Sequence, residues 1–330
     1  MIFKTNLFIF YLCVVGVFPI STLSSETRDL IEEFVIPGSV ESTHEITFGP
    51  RKYLWITQQK NSRLIRLTLD GEMTIFNLPE GSGPHGIAWD KKNRLWVGLE
   101  YIDQIAQLNE KGEIEKVFNL SSPGKSPHGP HGLCIGPKGK IWWTGKLSNV
   151  IGRLDPETNN VDIYSLGVGK SKPIYISVGP YKDLWFTELL GNHVGRITEN
   201  GKIFRFQIPF NNARPIVTFK GPNNTMWYTE ENGNAYGNIS RNGKFKRFDT
   251  NVPDGKLAGA AFDKLDNLWL QFNTPDIIQR ISPNGKTLTY NLPSHGVIQH
   301  RLIVGPAGNI WFTQLKTDTI GKIKVSFKKK

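Results

Sequence analysis

Four of the seven histidines fall at one recurring position, at the opening of a short apolar strand: His44, His85, His131 and His300. Imidazole titrates near neutrality, so it can take a proton, return one, or ligate a metal through its unprotonated nitrogen. Aligned copies of the position carry Ile174, Ile216 and Ala258, so the histidines gather on one side of whatever the repeats build. A second recurring position, closing the next strand, reads Gln58, Leu99, Gly145, Glu188, Glu230, Phe272 and Gln314. Glu188 and Glu230 would then face the histidines across a shared mouth. His128, in Pro127-His128-Gly129-Pro130-His131, would lean over the same mouth, with Arg301 and Lys146 as basic neighbours. The set suits a general base drawn from His300, His131, His85 or His44. It also suits a metal held by His and Glu, or a polar substrate site of Glu188, Glu230, Arg301, Lys146, Gln314 and His128. A structural alternative stands beside these, in which Pro-His-Gly is a consensus turn with its histidines bonded to backbone. No nucleophile elbow, P-loop, zinc-ligand spacing or dinucleotide fingerprint occurs, and no metal ligands are assigned.

The positioning elements follow from a repeat. Trp55, Trp96, Trp142, Trp185, Trp227, Trp269 and Trp311 recur at steps of 41, 46, 43, 42, 42 and 42 residues. Each lies in a run such as Leu54-Trp55-Ile56-Thr57 or Ile310-Trp311-Phe312-Thr313. A period of about 40–45 residues with short strands and turns marks a β-propeller blade. The sequence therefore predicts an all-β, seven-bladed β-propeller. Blade 2 reads as strands at His85–Trp89, Leu95–Val97, Gln104–Leu108 and 114–120, each bounded by Gly, Asn, Asp or Pro. Fourth strands end in an aromatic-x-aliphatic signature, as in Phe76-Asn77-Leu78 and Tyr290-Asn291-Leu292. The last repeat lacks that strand after Ile323-Lys324-Val325, whereas Phe34-Val35-Ile36 supplies one near the N-terminus. The N-terminal strand is expected to complete blade 7 and so pair an open edge. The start of a first strand lies beside the end of the second, so both recurring positions open on one face.

Residues 1–25 read as a signal peptide: Lys4 precedes an apolar stretch from Leu7 to Phe18, followed by small residues around Ser24 and Ser25. Residues 26–330 form a single propeller domain in this reading, and the protein is expected to be secreted or periplasmic. Outside the signal the one cysteine is Cys134, in an apolar strand pattern, so packing and strand pairing must close the ring. Asn119, Asn223 and Asn238 would accept glycans in a eukaryotic host. The net charge of +11 is scattered through turns, and the aromatics sit in core slots, so no nucleic acid partner is expected. No other segment is apolar enough to span a membrane, so no membrane partner is expected after signal cleavage. A monomer binding a small molecule is expected.

The repeat Gly-Pro-His-Gly-Ile…Leu-Trp-Phe-Thr-Glu…Val-Gly-Arg-Ile…Phe-x-Ile-Pro resembles the virginiamycin B lyase (streptogramin lyase) family over about residues 31–325. The resemblance implies β-elimination at an ester of a cyclic depsipeptide, with Mg²⁺ and a histidine base. It places His300 on the blade-7 histidine, the implied base. It also shows departures: Ile298 and Gln314 stand where acidic residues are implied, and Ala258 where a blade-6 histidine is. The base position survives, while the carboxylates that would support the metal do not. Two functions remain open at this level. One is a secreted enzyme acting on a small cyclic or polyketide-like substrate by elimination or cyclisation. The other is a noncatalytic ligand- or protein-binding propeller.

Overall fold

The computed structural model describes residues 30–325 except 122, 123 and 168, so the expected signal segment lies outside the described residues. Seven four-stranded antiparallel sheets form seven blades. Blade 1 shows the order: strand A at Thr43–Phe48, B at Leu54–Gln58, C at Arg63–Leu67 and D at Met73–Asn77. Blade 7 takes strands A to C from Gln299–Val304, Ile310–Gln314 and Thr319–Ile323, and its strand D is Ile31–Val35. The register pairs Ile31 with Ile323 and Phe34 with Ile320, so the N-terminal strand closes the ring as the sequence predicts.

The tryptophan repeat and the aromatic repeat are two halves of one contact. Trp55 stacks on Phe76 at 5.3 Å, Trp142 on Tyr164 at 5.8 Å, and Trp185 on Phe206 at 6.2 Å. Phe34 stacks on Trp311 at 5.8 Å, which places the closing strand in the same contact as the fourth strands of other blades. The aliphatic residue of the signature completes each cluster, as Leu78 does beside Trp55 and Leu292 beside Trp269. Six of the seven tryptophans are buried, and Trp227 is half-buried. Its blade reads Phe248-Asp249-Thr250, so a threonine stands where the sealing aliphatic would be. Glycines in strand C make room for the neighbouring strand-B ring: a Cβ at Gly195 or Gly321 would overlap Phe186 or Phe312. Among the described residues no helix is long and apolar enough to cross a membrane.

Candidate functional site

Strand A of every blade begins with a register shift against strand B, between Thr43 and Ile46 in blade 1 and between Pro84 and Ile87 in blade 2. The same irregularity recurs at Pro130/Leu133 and Gln299/Leu302. A bulge puts an extra residue in one strand and re-aims its side chain. His44, His85, His131 and His300 all sit inside these bulges. A threonine relay then fixes the height of the position. Thr313 donates to the His44 carbonyl at 2.6 Å and accepts from Arg301 N–H at 3.0 Å; Thr57 donates to the His85 carbonyl at 2.9 Å. Where the Trp-x-Thr motif occurs in blades 7 and 1, it ties strand B to the next blade's bulge; blade 2 has Gly98 and blade 6 has Gln271 at the threonine position. Aspartates at the start of strand C add a clasp. Asp318 accepts from the backbone N–H of Ser42 and Thr43, and Asp103 from those of His128 and Gly129.

The result is a contiguous cluster of four imidazoles. His44 lies 4.9 Å from His85 and 4.9 Å from His300 between ring centres, and His85 lies 5.3 Å from His300. His131 packs against His85 at 3.6 Å. Three rings are anchored through Nδ1 to backbone carbonyls: His44 to Ser42 at 2.7 Å, His85 to His131 at 3.1 Å, and His131 to Ile174 at 2.8 Å. A carbonyl only accepts, so each Nδ1 carries the proton and each Nε2 keeps its lone pair. Burial, reinforced by the charges and rings nearby, holds His44 below the ordinary histidine pKa and His85, His131 and His300 well below it. The same burial favours the neutral imidazole at all four positions.

Two ion pairs frame the cluster. Arg301 makes a two-pronged contact with Glu45 at 2.7 and 2.6 Å and lies over the Tyr175 ring at 4.1 Å. Burial works against the Arg301 charge, and Glu45 outweighs it. Lys146 donates to Glu100 at 2.8 Å, whose other oxygen accepts from Gln59 at 2.8 Å. A cavity of about 250 Å³ opens beside them, with His131, His300, Lys146, Tyr175 and Arg301 in its wall. Glu45, Glu100, Gln59 and Tyr175 were not singled out from the sequence. The readable signal for the first was charge complementarity: the position after the bulge histidine is Glu45 in blade 1 and Arg301 in blade 7, but glycine in blades 2 and 3.

The second recurring position does not face the mouth. Glu188 is fully buried and accepts from Arg205 at 2.7 and 2.6 Å; Glu230 is fully buried against Arg247 at 3.2 and 3.1 Å. Gln314 donates to Glu33 at 2.8 Å and accepts from Thr317 at 3.0 Å. These side chains enter the blade, where a partner from strand D or the following loop holds them. Alternation along strand B sends the next residue to the mouth instead, and Lys146, Leu189, Glu231 and Asn273 line the cavity. The expected ring was therefore displaced by one residue. His128 also departs from expectation. Its Nδ1 lies 2.8 Å from Ser148 Oγ and its ring 5.7 Å from Trp143, away from the cavity wall.

Residues 20–249 and 124–328 match the virginiamycin B lyase family. The chain belongs to the virginiamycin B lyase family. A streptogramin B lyase structure superposes with a TM-score of 0.83 at 26% identity, covering 90% of this chain and 97% of that one. Virginiamycin B lyase from Staphylococcus aureus gives 0.82 at 28% identity, with 90% and 99% covered. A catalytically inactive histidine-to-alanine variant of the S. aureus enzyme, with quinupristin, gives 0.83 at 28% identity and the same coverage. A search of curated proteins finds no match.

Family membership raises the question of Mg²⁺. That ion demands near-octahedral oxygen ligands. In this member of the virginiamycin B lyase family Ile298 is exposed at the surface and Gln314 is bonded inside the blade. The carboxylates closest to the histidines, Glu45 and Glu100, are committed to Arg301 and to Lys146 with Gln59. The donors that remain are imidazole nitrogens and the neutral amide oxygens of Asn273 and Gln299 in the cavity wall, with no uncommitted carboxylate beside the histidines. This set does not fit Mg²⁺.

Proposed function

We propose that this protein is a secreted lyase of the propeller family that opens a small cyclic ester by β-elimination, with His131 as the base. The observation that carries the reading is a neutral imidazole in the wall of the cavity, held in one tautomer by the Ile174 carbonyl. His131 Nε2 removes a proton from carbon beside a carbonyl. The electron pair forms the C=C bond while the neighbouring C–O bond breaks, and the carboxylate leaves with that bond's electrons. Lys146, in the same wall, stabilises the charge that develops on the carbonyl oxygen. The basic and apolar segments of residues 4–18 support secretion. An inactive histidine variant in a relative supports an essential imidazole. His300, which the resemblance made the base, shares the wall, but no hydrogen bond to its Nδ1 fixes its tautomer as Ile174 fixes that of His131, and this favours the shift to His131.

The test is incubation of purified protein with quinupristin and a panel of cyclic depsipeptides, followed by mass spectrometry. Elimination gives a ring-opened isomer of unchanged mass, whereas hydrolysis adds one water. Binding without any ring-opened product would instead favour a ligand-binding propeller.

A further inference from the structure

We propose that His44, His85 and His300 form a trihistidine site for a late first-row transition-metal ion of the zinc class, nitrogen-ligated and so unlike an oxygen-ligated Mg²⁺ site in donor type. The geometry is the first argument. Three imidazoles around a tetrahedral ion, with metal–nitrogen bonds of about 2.0–2.1 Å, place their ring centres about 5 Å apart. The three ring-centre distances here are 4.9, 4.9 and 5.3 Å, with interplanar angles of 59°, 65° and 71°. One potential ligand atom from each residue lies within 4.8 Å of the others.

Proton placement is the second. Metal-ligating histidines characteristically donate their other ring N–H to a carbonyl or carboxylate, which fixes the ring and its tautomer. His44 does so to Ser42 and His85 to His131, and both keep the Nε2 lone pair free. The third argument is an unfilled demand. His85 is only 1% exposed, and its Nε2 has no hydrogen-bond partner. A buried polar atom without a partner is costly, and a metal bond satisfies it.

Electrostatics permit the ion. Lys146 and Arg301 are the nearby cations, and each is matched by a carboxylate, Glu100 and Glu45. A nitrogen-rich set selects zinc, cobalt, nickel or copper over magnesium or calcium. His300 belongs both to the triangle and to the cavity wall, so the site adjoins the cavity. His131 stays outside the triad. The site holds whether or not the cavity turns over a substrate.

The experiment reads metal, not activity. Tag-free protein is stripped with a chelator and titrated with Zn²⁺ and with Co²⁺, and bound metal is counted by mass spectrometry. The expected result is one equivalent of either ion, an intense visible Co²⁺ spectrum of tetrahedral type, and no competition from millimolar Mg²⁺. His44→Ala and His300→Ala should lose stoichiometric binding while keeping the native near-ultraviolet circular dichroism. His295→Ala, at an exposed histidine, should keep it. His85→Ala serves as a third variant, and His44→Ala stands in if it misfolds. Absence of stoichiometric Zn²⁺ and Co²⁺ binding in the wild type would overturn the site. So would undiminished binding in folded His44→Ala and His300→Ala.

Discussion

The two halves of the channel mouth share one backbone and carry different chemistry. On one side the bulge of strand A presents His300, His44, His85 and His131; on the other it presents Ile174, Ile216 and Ala258. The scaffold does not distinguish them. Thr187 donates to the Ile216 carbonyl at 2.9 Å and Thr229 to the Ala258 carbonyl at 3.0 Å, as Thr57 does to His85. Bulges recur at Pro173/Tyr175, Pro215/Thr218 and Leu257/Ala260 as well. Periodicity is therefore the signature of the frame, and departure from it is where chemistry must be sought. A departure alone is not enough. Glu188 and Glu230 also break the pattern, and they serve the inside of the blades.

If this division is right, edits to the frame cost stability and edits to the histidine side cost turnover. Deleting residues 30–36 removes the strand paired with Thr319–Ile323 and the ring stacked on Trp311. The melting temperature should fall by roughly 10 °C or more, through an exposed edge and a broken cluster. A melting temperature like that of the intact chain would mean the ring closes by other means. His131→Ala should lower turnover of a ring-opening substrate by about 10²–10⁴-fold, the usual range for a lost general base. Its melting temperature should stay close to wild type, because the ring is half-buried in a cavity wall and lies outside the hydrophobic clusters. Retained turnover would move the base to another imidazole of the arc.

The frame can be tested within itself. Trp269 is fully buried, beside Tyr290 and Leu292, whereas Trp227 is half-buried with Thr250 in place of the aliphatic. Trp269→Ala should cost about 3–5 kcal/mol in denaturant unfolding. Trp227→Ala should cost at least about 1 kcal/mol less, since less area leaves water and no tight cavity remains. Equal losses would show that the aliphatic of the signature does not seal the slot.

Much of this was legible in the sequence. The tryptophans, their fourth-strand partners and the closing Phe34 repeat often enough to identify one another. The histidine arc was legible because a titratable residue type stood in a slot that is apolar in the other blades. The inward turn of Glu188, Glu230 and Gln314 was not. Side chains alternate along a strand, so a single residue decides between mouth and interior, and residue types do not mark where pairing ends. The partners that hold these side chains, Arg205 and Arg247, sit 17 residues downstream in strand D, where they read as ordinary surface charges. Glu45 and Glu100 escaped notice for a related reason. Each is the neighbour of a slot that was read: Glu45 lies within the strand-A bulge, and Glu100 directly follows the end of strand B.

The smallest effect discriminates best. Glu188 is fully buried, while the Arg205 side chain is 35% exposed and can hydrate when its partner is neutralised. Glu188→Gln keeps the shape, removes the charge and leaves Arg205 an escape to solvent. The stability loss should therefore be about 1–2 kcal/mol, below the ~3–5 kcal/mol of a buried ion pair whose remaining charge cannot reach solvent. Turnover and metal content should not change, because the carboxylate ends inside the blade and not in the cavity. Equilibrium unfolding and the ring-opening assay on the same variant read both quantities. If turnover collapses while unfolding is unaltered, Glu188 reaches the mouth in solution, and the two halves of the channel are chemically closer than their side chains suggest.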